Sequence, residues 1–385
     1  MSTIRHIPVL IFGAGGVGQA LLHQIMSSCQ RVAGRNSIRF DLVGIVDSRS
    51  WLWQPDGLSE SQIHAGLDAK RSAAKMLHPS REVTGVAVRE RVEARKALHE
   101  RRVVPLGADR PDNLAIIEQL IAGGIEKAIV VDVTAADGME PAVSLALEAG
   151  YGVVLANKKP LAGPWSSAQG FYHHPRLRHE STVGGGQPVI ATLRMLLDTN
   201  DPVYRIEGQL SGTLGFICNQ LDRGMPFSHA LLAAKVKGYT EPDPREDLSG
   251  MDVMRKVLIL ARMAGWTLEA SDIAVESLYP RSLAHLSVEE FMQASVAIDP
   301  SMKDRVNAAA AAGEVLRYVA EVEAGRGNVG LKAVPLESPV ANLKYISFRT
   351  GHYDDEPLMI AGKGAGVGMT AAGALGDMID LAREM

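Results

Sequence analysis

Along residues 1–160, short apolar runs alternate with amphipathic stretches, the pattern of a parallel sheet covered by helices on both faces. Residues 9–12 read as the first strand, 17 to about 30 as the first helix, and 40–46 as a second strand closed by Asp47. Residues 128–133 form a near-continuous apolar run, as expected of a strand buried on both faces. Residues 140–149 read as a helix with Gly150 just past its end, followed by a strand over 153–155. Between about residues 51 and 110 the pattern weakens into charged, alanine-rich pieces such as 89–102, expected to form a solvated helical insertion on the sheet's rim.

After Lys159-Pro160 the periodicity changes, which predicts a hinge and a second, α+β domain. Its expected strands are 179–183, 204–210, 315–322 and 328–334, the last two an antiparallel pair joined through Gly325 and Gly327. Its expected helices are 190–198, 228–236 and 251–264. A glycine cluster over 362–368 then precedes a final helix, 369–382.

Composition narrows the function classes. With 46% hydrophobic residues in 385, the chain has ample material for packed cores. Forty Lys plus Arg against 44 Asp plus Glu give a formal charge of −4, which points away from nucleic acid and from polybasic membrane attraction. The two cysteines, Cys29 and Cys218, make neither a disulfide framework nor a zinc spacing, so a reducing, cytoplasmic setting is expected. Gly13, Gly15, Gly16 and Gly18 interrupt the N-terminal apolar run, so it does not read as a signal peptide, and a soluble, unprocessed chain is expected.

Those glycines carry the first chemistry. Gly13-Ala14-Gly15-Gly16-Val17-Gly18 follows a strand and opens a helix, the arrangement in which glycines allow a tight turn and a close backbone approach to a pyrophosphate. The phosphates are then expected at the helix N-terminus. Asp47 is placed to accept hydrogen bonds from an adenine ribose, although it lies later than the spacing of about 20 residues usual for that role, an excess assigned to a polar loop over 27–37. Arg49 could instead meet a 2′-phosphate, so NAD and NADP both remain open.

The stretch Gly238-Tyr239-Thr240-Glu241-Pro242-Asp243-Pro244-Arg245-Glu246-Asp247-Leu248-Ser249-Gly250-Met251-Asp252-Val253-Met254-Arg255-Lys256 is the most informative. Its prolines predict a stiff extended loop, and Ser249 is positioned to cap the helix that follows. Asp252 and Lys256, four apart, share a helix face. Alone they read as a surface ion pair; beside Glu241, Asp243 and Asp247 they read as a charged site.

This stretch resembles the signature of the homoserine dehydrogenase family. Five further segments resemble the family in the same order: the first glycine loop, Val131-Asp132-Val133-Thr134, Ala156-Asn157-Lys158-Lys159-Pro160, Glu180-Ser181-Thr182-Val183-Gly184-Gly185-Gly186 and Ser211-Gly212-Thr213-Leu214-Gly215. The final glycine cluster with Thr370-Ala371 completes the likeness, which favours the short, single-function fungal and plant-like branch with no room for a kinase or regulatory domain. The resemblance implies an α/β fold: a Rossmann-type dinucleotide-binding domain over 1–160, a substrate and dimerisation domain over 161–340, and a segment over 341–385 returning to the first. It implies reversible NAD(P)H-dependent reduction of L-aspartate 4-semialdehyde to L-homoserine by a homodimer. Lys256 is then the general acid oriented by Asp252, and Lys158 holds substrate and nicotinamide ribose in register. Glu241 takes the substrate's ammonium, Asp247 assists, and Gly212 and Thr213 complete the substrate site. Gly13, Gly15, Gly16, Val17, Gly18, Asp47, Arg49, Thr134, Lys158, Gly364, Gly366 and Thr370 are the expected cofactor residues. Glu180, with backbone carbonyls of Val183, Gly185 and Gln187, resembles the family's monovalent-cation site for sodium or potassium, Gln187 departing from the apolar residue expected there.

Two other readings compete. A nucleophilic Cys218 would make the chain an acylating semialdehyde dehydrogenase; its apolar surroundings favour burial instead. A non-catalytic NAD(P)-binding sensor would need the glycine loop but not Lys158, Asp252 and Lys256 together. His173, His174 and His179 lack metal-ligand spacing and read as loop residues.

Overall fold

The computed structural model describes residues 4–77, 103–104 and 110–385. The expected helical piece over 89–102 lies outside them. The chain divides into two units: the first comprises residues 1–160, 173–181 and 366–385, the second 161–172 and 182–365.

In the first unit a seven-stranded sheet runs in the order β4-β3-β2-β1-β5-β6-β7, comprising β1 (Arg5–Phe12), β2 (Ile38–Val46), β3 (Trp51–Trp53), β4 (Val103–Val104), β5 (Ile129–Asp132), β6 (Gly152–Leu155) and β7 (Leu177–Arg178). β1 pairs in parallel with both β2 and β5, so the direction of winding reverses at its carboxyl end. Ligands of open α/β sheets bind at that point. The core strands are apolar on both faces, as their runs of Val, Ile and Leu predict.

The opening helix spans Gly16–Asn36. It continues through the residues expected to form a polar loop because Ile25 and Val32 extend its buried stripe, and it stops where Ser37 turns left-handed at φ 54°. The late position of Asp47 thus comes from two extra helical turns. The segment expected to be wholly helical on the rim contributes two antiparallel edge strands, β3 and β4, and a helix, Glu60–Leu77, with Trp51 and Trp53 stacked 5.6 Å apart.

The final helix, Val367–Glu384, belongs to the first unit, where Ala371, Ala374, Met378, Leu381 and Ala382 join the core with Leu21, Leu22 and Ile25 of the opening helix. It also removes a predicted strand. Over 179–183 the chain forms a 3-10 turn, Glu180–Thr182, because the Glu180 amide donates to Asp377 and the Ser181 hydroxyl donates to the Thr370 carbonyl. Those backbone needs are met by the helix and not by a sheet neighbour.

The second unit holds a six-stranded sheet in the order β13-β12-β8-β10-β11-β9, comprising β8 (Val203–Gly208), β9 (Ile273–Val275), β10 (Glu314–Glu323), β11 (Arg326–Pro335), β12 (Tyr345–Thr350) and β13 (Leu358–Ala361). β10 and β11 form the predicted hairpin, Glu323 opposite Arg326 with Gly325 left-handed between them. β12 and β13 lie in this sheet, so the return to the first unit begins at Gly366 and not at residue 341. Residues 161–172 are held in this unit by buried Arg262, which donates to the carbonyls of Leu161 and Gly163. Among the described residues, no helix is long and apolar enough to cross a membrane.

Candidate active site

In the first unit, β1 ends at Phe12 and the chain turns through Gly13 at φ +108°, where a Cβ would lie 3.0 Å from the Val133 backbone. A Cβ on Gly18 would sit 1.8 Å from the Gly13 carbonyl oxygen, so helix and loop touch only because both residues lack side chains. Gly15 differs: its backbone is extended, φ −77°, and a Cβ there would meet nothing within 4 Å. The loop is therefore closed beneath and open above, the cradle a dinucleotide pyrophosphate requires at a helix N-terminus. Gly16 packs against Val367 of the final helix, and Val17 packs on the core.

Asp47 follows β2, and its neighbour is unexpected. Lys70, from the helix Glu60–Leu77, places Nζ 3.0 Å from Asp47 Oδ2 and donates to the Ala14 carbonyl at 2.7 Å. Arg49 is exposed two residues beyond Asp47. At the end of β5, buried Asp132 accepts from the Thr134 amide at 2.9 Å and hydroxyl at 2.7 Å and from Asn157 Nδ2 at 2.9 Å. Burial pushes its carboxyl above the usual range, against the pull of these donors. Asn157 Oδ1 in turn accepts from the Lys159 amide at 3.1 Å, so the backbone on both sides of Lys158 is fixed. Thr370 returns its amide and hydroxyl to the Gly366 carbonyl, in the first turn of the final helix.

In the second unit the signature stretch departs from the extended loop expected of it. Asp243 caps a short helix, Pro244–Leu248, accepting from the Arg245 amide, while Arg245 also donates to the carbonyls of Ala284 and Leu286. The pairing with Arg245 holds the Asp243 carboxyl below its usual range. The next helix, Met251–Met263, is preceded by Gly250 at φ +74° and not by a serine cap. A Cβ on Gly250 would lie 2.1 Å from the Tyr318 hydroxyl, so only glycine lets this helix start so close to β10. Ser249, one position before that cap, donates to the Glu246 carbonyl, and its Oγ accepts from the Met251 amide at 3.3 Å, so part of the expected capping is present.

On that helix Lys256 Nζ lies 2.7 Å from Asp252 and donates to the Leu210 carbonyl, also at 2.7 Å. The lysine side chain is only 17% exposed, its partner 47%, which distinguishes the pair from a solvated surface bridge. Leu210 leads into the helix Gly212–Leu221, capped by Ser211 through the Leu214 amide. Thr213 Oγ1 lies 2.6 Å from the Tyr239 carbonyl and 2.9 Å from Asp247 Oδ1. Asp247 Oδ2 accepts from the Glu241 amide at 2.8 Å. Burial pushes the Asp247 carboxyl up, opposed by those hydrogen bonds and helped by the negative charges of Asp252 and Glu246. Thr213, Glu241, Asp247, Asp252 and Lys256 thus belong to one connected arrangement of a cation, carboxylates and a helix start.

The remaining expected residues divide between the units. Glu180 lies in the first; Val183, Gly185 and Gln187 lie in the second, where Gly184 and Gly185 turn left-handed and the Gln187 carbonyl accepts from the Val189 amide. Gly364 also lies in the second unit, against the Gln187 side chain, and Gly366 in the first. Among the described residues, no group of three or more His, Cys, Asp and Glu is placed to hold a metal ion. Cys218 is fully buried and its thiol is pushed up to about 12 by that burial, which makes it a poor nucleophile.

Residues 188–379 match the family model for homoserine dehydrogenase. A homoserine dehydrogenase of Paracoccidioides brasiliensis is 39% identical over 300 residues, 72% of this chain and 80% of that protein. The chain belongs to the homoserine dehydrogenase family. A bifunctional aspartokinase/homoserine dehydrogenase of Zea mays is 35% identical over 97% of this chain, which spans 38% of that relative's length. A hyperthermophilic archaeal homoserine dehydrogenase in complex with NADPH shares the fold, with TM-score 0.64, 20% identity and 99% of each chain covered.

Sequence reasoning missed two lysines that lie beside candidate residues, one in each unit. Lys70 sits in a charged helix of the insertion with no motif around it, 56 residues from the loop it contacts. Lys344 precedes β12, and its Nζ comes within 3.3 Å of where a Cβ on Gly212 would be. Only tertiary structure brings either beside its neighbours.

Proposed function

We propose that this chain catalyses the reversible NAD(P)H-dependent interconversion of L-aspartate 4-semialdehyde and L-homoserine. The observation that carries the reading is the partly buried Lys256, held by Asp252 and the Leu210 carbonyl beside a helix start and two further carboxylates. Reducing an aldehyde builds negative charge on its oxygen, which needs a positioned cation or acid. Lys256 Nζ supplies that charge and passes a proton to the oxygen; in the reverse direction a deprotonated Lys256 receives it. Asp252 orients the ammonium. Glu241, assisted by Asp247, binds the substrate's own ammonium, while Gly212 and Thr213 line the substrate site. Lys158 is the second cation, offered from a backbone fixed by Asn157.

Gly13, Gly15, Gly16, Val17 and Gly18 would hold the dinucleotide pyrophosphate, with Asp47 and Arg49 at the adenine ribose and Thr134, Gly366 and Thr370 toward the nicotinamide. When bound, the nicotinamide supplies or accepts the hydride. Lys70 neutralises Asp47, and with Arg49 nearby this favours a cofactor carrying a 2′-phosphate, NADP(H). The chain acts as a homodimer through the second unit's sheet, in the cytoplasm, a location that suits its two free cysteines.

The test is oxidation of L-homoserine by the purified protein with NADP and NAD supplied separately. NADP is expected to give the higher kcat/KM. Absence of turnover with either, from folded protein, overturns the reading.

A further inference from the structure

The two halves of the signature stretch have different duties in the proposed reaction. The short helix Pro244–Leu248 carries Asp247, which holds the Glu241 amide, and the helix Met251–Met263 carries Asp252 and Lys256. Only Ser249 and Gly250 lie between them, so this joint sets where the lysine ammonium stands relative to the carboxylates. We propose that Tyr318 is a positioning residue for Lys256, its hydroxyl being the stop against which the joint sits. This rests on the reading of Lys256 as the residue that transfers the proton.

The stop is rigid. Tyr318, in β10, is buried, and its hydroxyl donates to the Glu276 carbonyl at 2.7 Å. Glu276 is itself locked: its amide donates to the Val329 carbonyl at 2.8 Å, and its carboxylate accepts from the Leu331 amide at 2.9 Å and pairs with Arg305. Val329 and Leu331 lie in β11, which pairs with β10 along its whole length, so ring, acceptor and both strands close into one bonded frame. Burial, helped by the negative charge of Glu276, pushes the Tyr318 phenol above its usual range, and it keeps its proton as a donor.

The joint is wedged against that frame. A Cβ on Gly250 would lie 2.1 Å from the Tyr318 hydroxyl and 2.9 Å from Val275 Cγ1, so the backbone of the joint is confined between two side chains. Two residues earlier, the Leu248 carbonyl accepts from the Leu278 amide at 2.9 Å. The stretch 275–278 therefore meets the joint on both sides of Ser249, and Tyr318 bonds to the middle of that stretch.

The rest of the helix cannot supply this precision. Val253, Met254 and Val257 bury its inner face, but apolar packing is non-directional and leaves a helix some freedom to slide or tilt. Lys256 has little tolerance for either. Its Nζ is held 2.7 Å from Asp252, on its own helix, and 2.7 Å from the Leu210 carbonyl, on another segment, so a shift of the helix stretches the second contact while keeping the first.

The experiment is a double-mutant cycle of Tyr318→Phe and Lys256→Ala, read as kcat for oxidation of L-homoserine, with circular dichroism checking that each variant is folded. Phenylalanine keeps the ring and removes only the stop. Tyr318→Phe alone is expected to lower kcat roughly 10-fold, within the ~100-fold that a misplacement of about 1 Å can cost. Homoserine KM should change little, because Glu241 and Asp247 lie before the joint. In the Lys256→Ala background the same substitution should change kcat by less than about twofold, since no ammonium is left to misplace. A tyrosine that merely supports the fold lowers kcat equally in both backgrounds. Wild-type kcat in Tyr318→Phe, or the same loss with and without Lys256, overturns the assignment. If Tyr318→Phe does not fold, Gly250→Ala, whose methyl group pushes the joint off the same oxygen, takes its place in the cycle with the same outcomes. A Lys256→Ala variant that keeps near-wild-type kcat overturns the reading of Lys256, and the positioning role with it, and is recognised from that single variant.

Discussion

At the scale of single residues, Lys256 and Glu241 carry the same sequence motif but different duties, and kinetics should separate them. Lys256→Ala is expected to lower kcat roughly 100-fold or more, the effect of losing a general acid or one electrostatic donor. NADPH affinity, followed by fluorescence titration, should be unchanged, because the glycine loop belongs to the first unit. Glu241→Gln removes a charge felt in ground and transition states alike, so its expected effect is a higher homoserine KM at nearly constant kcat. Asp247 adds a pH signature. Its carboxyl is pushed above the usual range, so on acidification it takes up a proton at higher pH than a free aspartate and its negative charge is lost earlier. The homoserine KM should accordingly rise on acidification at a higher pH than a free aspartate would give, and Asp247→Asn should raise KM at neutral pH while flattening that rise. A wild-type KM with the same pH dependence as that of Asp247→Asn would contradict this.

At the scale of elements, the glycine loop allows a paired test. Gly15 has an ordinary extended backbone and open space around its missing side chain. Gly15→Ala should therefore leave stability within about 0.5 kcal/mol of wild type, yet weaken dinucleotide binding by occupying the cradle. Gly18→Ala places a methyl group 1.8 Å from a backbone oxygen and should cost about 1–3 kcal/mol or more of stability as well. Thermal melts and cofactor titration distinguish the two. The loop was legible in the sequence because glycine spacing after a strand has one steric meaning, and the Asp252–Lys256 pair because four residues make one helical turn. The start of the Met251–Met263 helix was not. Ser249 has the chemistry of a cap, but Gly250 must turn left-handed under Tyr318, a residue 68 positions away, and local propensity carries no trace of that contact. The false strand at 179–183 failed for the same reason: its hydrogen-bond partners are on the final helix.

At the scale of the molecule, a homodimer is expected, and light scattering at micromolar concentration should give twice the 41.2 kDa chain mass. An apolar contact through the second unit's sheet needs uncovered apolar residues on its strands β8 and β10. Ile206 of β8 and Val319, Ala320 and Val322 of β10 are buried within this chain, whereas Tyr204 of β8 is 52% exposed. The same strands carry Arg205, paired with Glu207 and Glu321, and Lys332 of β11 approaches both acids. Any association through this sheet then has a large electrostatic component, and the dimer fraction should fall with added salt. A mass of about 41 kDa at low salt would end the proposal.

The first unit takes as its final helix Val367–Glu384, more than 300 residues beyond its opening helix. During synthesis on the ribosome, the opening strand and helix emerge long before Ala371, Ala374, Met378 and Leu381, which complete their core. Arg178, buried in β7, must likewise wait for Asp380 and Glu384 before its charge is paired. The second unit, apart from residues 161–172, is contiguous from 182 to 365 and can fold while the tail is still being made. The nascent chain thus exposes an apolar groove on the opening helix until residues 366–385 have emerged. Pulse-proteolysis of stalled chains lacking residues 366–385 should find the second unit resistant and the first unit cut.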